Sequence, residues 1–241
     1  LVISEAFDRQ SDPKSVLERL RGSLIVSCQA LPDEPLHGSS IMAAMAKAAQ
    51  IGGAKGIRAN TPEDIRAIRQ AVDLPIIGLF KVEYPDSPVY ITPTAVEARS
   101  VAAAGADIIA VDATRRERPN RQSLKALLDC IHEELGLLAM ADVSTEDEGC
   151  IAEDLGFDIV STTMSGYTEY SPNIEGPDFE LMSKLSSRLQ VPVIAEGRIR
   201  TPEDLKRAFE CGVYAAVVGG AITRPQHITK RFVEAIPSAI E

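Results

Sequence analysis

Tryptophan is absent from this chain, and aromatic residues make up only 5% of its 241 residues. So few rings do not make a platform for stacking nucleic-acid bases; they suit a core of closely packed Ala, Val and Ile. Basic charge is also in short supply: 25 Lys and Arg stand against 35 Asp and Glu, a net charge of −10. A field of that sign repels nucleic acid and anionic membranes, so neither is an expected partner. It still allows a small anionic substrate, because a local site can override the global field. Histidine occurs three times (His37, His132, His227), too thinly for the His and carboxylate clusters that metal-dependent barrels use. Asp112 and Asp142 could join a hard-cation site, but nothing else in the sequence asks for one, and no metal is expected. The four cysteines (Cys28, Cys130, Cys150, Cys211) form no CxxC pair and read as buried free thiols in a reducing compartment. No apolar run reaches membrane-span length, and Leu1–Arg21 lacks the basic-then-apolar pattern of a signal peptide, so a cytoplasmic location is expected. Dinucleotide and P-loop fingerprints are missing too, and no cofactor is expected.

What is present is repetition. Short apolar, β-branched runs recur at Leu24–Gln29, Gly56–Ala59, Ile76–Lys81, Ile108–Ala113, Leu137–Val143, Ile159–Met164, Val191–Gly197 and Ala215–Ala221, each followed by a helix-patterned stretch. Continuous rather than alternating apolar runs are what strands buried on both faces show. Glycines at Gly53, Gly105, Gly156 and Gly212 stand just before strands, where a left-handed residue closes the preceding helix. Thr61-Pro62-Glu63-Asp64 and Thr201-Pro202-Glu203-Asp204 read as a capping Thr, Pro in the first turn and acids on the helix dipole. Eight such units predict an α/β fold: a single (β/α)₈ barrel over residues 23–241, with a helical lead-in over 1–22 covering its bottom.

In such a barrel the active site lies at the carboxyl ends of the strands. Nearly every predicted strand ends in a polar residue: Gln29, Arg58, Lys81, Asp112, Asp142 and Glu196. Strands 3 and 7 are opposite one another, so Lys81 and Glu196 should face each other across the mouth. Lys81 follows an apolar run, and burial with Arg58 nearby should lower its pKa and make a neutral amine available as a base. The structural alternative pairs Lys81 with Glu83 or Asp112. Strands 7 and 8 lead into Glu196-Gly197-Arg198-Ile199 and Val218-Gly219-Gly220-Ala221-Ile222, with Arg224 close behind. Glycines let backbone N–H groups approach an anion, so Gly197, Arg198, Gly219, Gly220 and Arg224 are the expected phosphate contacts.

Several segments carry a resemblance. Ile25-Val26-Ser27-Cys28-Gln29-Ala30-Leu31, Tyr90-Ile91-Thr92-Pro93-Thr94, Met140-Ala141-Asp142-Val143-Ser144-Thr145, Val160–Thr168 and Val217–Pro225 resemble the N-acetylmannosamine-6-phosphate 2-epimerases, and the likeness runs from about residue 22 to about residue 236. The N-terminal stretch is longer than in that family. The resemblance implies interconversion of N-acetylmannosamine 6-phosphate and N-acetylglucosamine 6-phosphate, a step in sialic-acid or amino-sugar use. It implies that Lys81 exchanges the C2 proton and that Glu196 supports catalysis near the sugar hydroxyls. Gln29, Arg58 and Asp142 would contact the sugar or its N-acetyl group, and a homodimer is expected. Two competing readings are another phosphosugar isomerase on the same barrel and a non-catalytic sugar-phosphate sensor. A sensor would have little use for both Lys81 and Glu196.

Overall fold

The computed structural model describes residues 12–237. Eight parallel strands close into a barrel in sequence order: β1 (Leu24–Cys28), β2 (Gly56–Asn60), β3 (Ile76–Leu79), β4 (Ile108–Asp112), β5 (Leu138–Asp142), β6 (Ile159–Ser161), β7 (Val193–Glu196) and β8 (Ala215–Val218). Closure is made by β1 against β8, with Ile25 beside Val217 and Val26 beside Val218. The principal helices after α1 are α2 (Ser39–Ile51), α3 (Pro62–Ala71), α4 (Ala95–Ala103), α5 (Leu124–Asp129), α6 (Glu146–Leu155), α7 (Phe179–Arg188), α8 (Pro202–Glu210), the one-turn α9 (Gly220–Thr223) and α10 (Pro225–Glu234).

The unbroken apolar runs have a simple cause. Within each strand, one set of alternating side chains fills the barrel interior, including Ile25, Ile77, Leu79, Ile108, Met140, Ile159, Ile194 and Val217. The other set, including Val26, Ile57, Ile76, Ile109, Val111, Val160 and Val193, packs under the helices. Both faces are dry, so both must be apolar. Gly78 shows how tight the outer layer is: a Cβ there would lie 2.6 Å from Val101 Cγ1.

Helix ends follow the punctuation in the sequence. Gly53, Gly105, Gly156 and Gly212 all adopt left-handed φ, between 88° and 101°. Thr61 Oγ1 accepts from the Asp64 N–H at 3.2 Å, and Thr201 Oγ1 from Asp204 N–H at 3.1 Å. Each cap satisfies a donor that the first turn would leave orphaned.

The helix α1 (Pro13–Leu20) seals the amino-terminal end of the barrel. Val16 and Leu20 join the interior cluster, and Gly56 makes room for them, since a Cβ there would lie 2.6 Å from Leu20 Cδ2. Each fully buried aliphatic side chain contributes about 1.5–3 kcal/mol. The Tyr214 hydroxyl donates to Leu17 O at 2.9 Å and the Gly22 N–H to Tyr214 O at 2.8 Å, which ties the plug to the start of β8. Residues 1–11 of the expected lead-in lie outside the described residues.

The predicted strands run too far at their carboxyl ends. β3 stops at Leu79 rather than Lys81, because the chain turns away and Lys81 pairs in an antiparallel bridge with Ile91. β6 gives way to a tight helical turn at Thr162–Met164, and β8 ends at Val218, where the chain begins α9. β1 stops one residue before Gln29, whereas β2 continues past Arg58 to Asn60. Beyond the barrel rim no neighbouring strand remains to accept or donate, so an apolar sequence alone does not extend a strand.

Candidate active site

Period-two alternation carries the inward direction on to the polar strand ends. Arg58 is two residues past Gly56, Asp142 two past Met140, and Glu196 two past Ile194, so all three point into the barrel above the apolar filling. Arg58 is 1% exposed and Asp142 is 0% exposed. The guanidinium grips Asp142 with both prongs, Nη1 to Oδ1 at 3.1 Å and Nη2 to Oδ2 at 2.5 Å. Arg58 Nη1 also lies 2.9 Å from Glu196 Oε2. Thr163 completes the cluster, 2.7 Å from Asp142 Oδ1 and 3.1 Å from Glu196 Oε2. Two carboxylates around one arginine hold its pKa above the ordinary value despite burial. Burial pushes the Glu196 carboxyl up, and Asp142 pushes the same way, against the pull of Arg58.

Above this cluster opens a cavity of about 460 Å³. Ser27 on β1 and Gln29 just past its end line it, with Arg58 from β2 and Lys81, Tyr90 and Ile91 from the segment beyond β3. Thr163, Tyr167 and Glu196–Arg200 form the wall on the β6–β7 side, and Gly219, Gly220, Arg224, His227 and Arg231 that on the β8 side. Lys81 and Glu196 thus border one space from opposite sides of the ring. Burial lowers the Lys81 pKa from its ordinary 10.5, and the Arg58 cation lowers it further, while Glu196 pulls it back. Among the described residues no hydrogen bond or ion pair holds the ammonium. Neither structural partner considered for it takes that place: Asp112 is engaged by Arg116 Nη2 at 2.6 Å and by the Thr114 hydroxyl at 2.6 Å.

The other sequence-predicted residues fall into two groups. Gln29, Gly197, Gly219 and Gly220 border the cavity, and among the described residues the buried Gln29 Oε1 has no partner. Asp142 lies beneath the cavity floor, behind Arg58, and does not line it. Arg198 and Arg224 border the cavity but are already engaged. Arg198 donates to Gly176 O at 2.7 Å and Ser165 O at 2.9 Å, fastening the loop that carries Tyr167. Arg224 is ion-paired with Glu34: Nη2 donates to Oε2 at 2.9 Å, and Nε lies 2.7 Å from Oε1 without the geometry of a hydrogen bond. Sequence reasoning missed Tyr90, Thr163, Tyr167, His227 and Arg231 as site residues. Thr163 lies just beyond the end of β6 and Tyr90 far along the return from β3 to α4, and no strand-end rule points to either; His227 and Arg231 come from α10, whose spacing reads as an ordinary amphipathic helix. His132, by contrast, sits 2.8 Å from Asp158 near the opposite end of β5, and no group of three or more His, Cys, Asp or Glu that could hold a metal occurs among the described residues.

A profile of the family described as "Putative N-acetylmannosamine-6-phosphate epimerase" matches residues 42–238. The chain belongs to this epimerase family. A relative in Clostridium perfringens, named a putative N-acetylmannosamine-6-phosphate 2-epimerase, is 56% identical over 91% of this chain and 99% of its own length. One of the same name in Clostridioides difficile is 54% identical over 92% of this chain and 99% of its own length. The solved N-acetylmannosamine-6-phosphate 2-epimerase of C. perfringens superposes with a TM-score of 0.90 at 55% identity, covering 91% of this chain and 96% of that one. A thiamine phosphate pyrophosphorylase from Pyrococcus furiosus, at 16% identity and a TM-score of 0.57, shares the fold alone. The epimerase family therefore spans the whole barrel, including every strand end that builds the cavity. Among the described residues no helix is long and apolar enough to cross a membrane.

Proposed function

We propose that this protein interconverts N-acetylmannosamine 6-phosphate and N-acetylglucosamine 6-phosphate by proton transfer at C2, with Lys81 as the base. The observation that carries the reading is a lysine with no hydrogen bond or ion pair on its ammonium among the described residues, its pKa lowered by burial and by Arg58, facing Glu196 across one cavity. Ring opening exposes the C1 carbonyl and makes the C2 hydrogen acidic. Neutral Lys81 removes it; the C–H electron pair becomes the C1–C2 double bond and the negative charge moves to O1. Arg58 offers its positive charge to that oxygen from a buried position, where such an interaction is stronger than in water. A proton from solvent, delivered to the opposite face, inverts C2, and Lys81 gives up to solvent the proton it took.

Glu196 orients the sugar hydroxyls, and its contact with Arg58 keeps the guanidinium in register. Asp142 acts on the sugar through Arg58. The phosphate rests at Gly197, Gly219 and Gly220, where backbone N–H groups can approach an anion. Arg198, Arg200, Arg224 and Arg231 border the same cavity and supply a locally positive wall in a chain of net charge −10. Arg224 keeps Nη1 for the anion while its Nη2 donates to Glu34 Oε2. The reaction as written needs no metal and no nicotinamide, and the same reading carries the cytoplasmic location and the homodimer. Purified protein mixed with N-acetylmannosamine 6-phosphate should produce N-acetylglucosamine 6-phosphate by NMR. Tight binding without turnover would instead favour a sensor.

A further inference from the structure

Tyr90 borders the cavity, and its ring packs against the interior cluster that contains Met140 and Met164. Among the described residues its hydroxyl meets only the Met164 sulfur, at 3.9 Å. A thioether is a weak acceptor, so a strong donor is left nearly unspent at the edge of the cavity. Arg58 also keeps a donor in hand: among the described residues its Nε has no hydrogen-bond partner, while Nη1 and Nη2 are turned to the carboxylates and Nη1 lies 4.0 Å from the Met140 sulfur. Two donors, one from β2 and one from the return between β3 and α4, therefore border the same cavity, and each has capacity left for an oxygen atom.

The backbone that presents Tyr90 is unusually well fixed. Tyr90 O accepts from the Val82 N–H at 3.0 Å, and Ile91 O from the Asp112 N–H at 3.0 Å. Thr92 takes a left-handed φ of 43°, a costly conformation for a β-branched residue. Its hydroxyl donates to Ala110 O at 2.7 Å and accepts from the Phe80 N–H at 3.2 Å. The buried Arg118 donates to Thr92 O at 3.0 Å and Pro93 O at 3.2 Å. Such strain persists only where the surroundings over-determine it, and it occurs most at sites that need a group held in place. Filling the core does not require this, since a phenylalanine would fill the same space.

Building on the proposed C2 proton transfer, we propose that Tyr90 is a further catalytic residue: its hydroxyl donates a hydrogen bond to O1 of the opened sugar as that oxygen becomes negative. Arg58 and Tyr90 then form a two-donor pocket for the enolate, while the proton itself travels between C2 and Lys81. Burial raises the phenol pKa, with Asp112 and Asp142 adding to it, so the group stays a protonated donor over the working range.

The test is Tyr90→Phe, which removes one oxygen and keeps the ring. Loss of a donor to a developing oxyanion should lower kcat on the order of 10²-fold. KM should change far less than kcat, as expected for a contact that is weak in the bound substrate and strengthens in the transition state, and the thermal midpoint should stay unchanged. Wild-type kcat in the variant, or a loss confined to KM, overturns the proposal. A second readout does not depend on turnover. With ¹³C at the tyrosine Cζ, N-acetylmannosamine 6-phosphate should shift one resonance that Tyr90→Phe lacks. A static Tyr90 signal with substrate bound overturns the contact. A shifted signal without turnover keeps the contact and overturns the assigned reaction instead, so the two failures are distinguishable.

Discussion

Arg58 and Asp142 form a two-pronged ion pair under the barrel mouth, with neither residue more than 1% exposed. The pair spans β2 to β5 across the barrel interior and presents Arg58 to the cavity at a fixed angle. Removing one partner of a buried pair leaves an uncompensated charge, which costs about 3–5 kcal/mol. Asp142→Ala should therefore lower stability by about that amount in urea or guanidinium unfolding. Asp142→Asn should cost less, because the amide oxygen still accepts from Arg58. Unfolding of Asp142→Ala at the wild-type midpoint would show that Glu196 alone compensates Arg58.

The pH dependence of kcat/KM should show an acid limb set by Lys81. The amine is the active form, so activity rises as pH climbs through its pKa, which lies below 10.5. Glu196 pulls that pKa upward. Glu196→Gln removes the pull, so the limb should move to lower pH even as the maximal rate falls. A shift to higher pH would mean that Glu196 does not stabilise the Lys81 ammonium.

Arg198 bridges two carbonyls of the loop that follows β6, from its own left-handed position at φ 55°. Lysine cannot reproduce that fork. Arg198→Lys should speed backbone hydrogen exchange across residues 165–176 and raise KM for the phosphosugar, with the barrel strands unaffected. Unchanged exchange in the loop would assign Arg198 to the phosphate alone.

The barrel was legible in the sequence because its causes are local. Gly53, Gly105, Gly156 and Gly212 close helices in a left-handed conformation that glycine adopts more readily than any other residue, and Thr61 and Thr201 cap helices through their own hydroxyls. The inward direction of Arg58, Asp142 and Glu196 follows from strand periodicity. What periodicity does not carry is depth and partnership. Asp142 and Arg58 both sit near strand ends, yet only one of them reaches the cavity, because β5 ends at Asp142 while Arg58 has length enough to cross over it. Glu34 and Arg224 are 190 residues apart, and only closure of β8 onto β1 brings them together. Tyr90 was hidden because the return from β3 to α4 folds back through Lys81 and Ile91, a pairing with no local signature.

The central claim is that Lys81 moves the C2 hydrogen as a proton, and the most direct test follows that hydrogen in D₂O. Epimerisation in D₂O should place deuterium at C2 and at no other carbon of the product, read by NMR or mass spectrometry. Lys81→Ala should lose exchange and epimerisation together, by at least the roughly 10²- to 10⁴-fold that a positioned base contributes. Product without deuterium at C2, or a Lys81→Ala variant that exchanges C2 at the wild-type rate, would contradict the account.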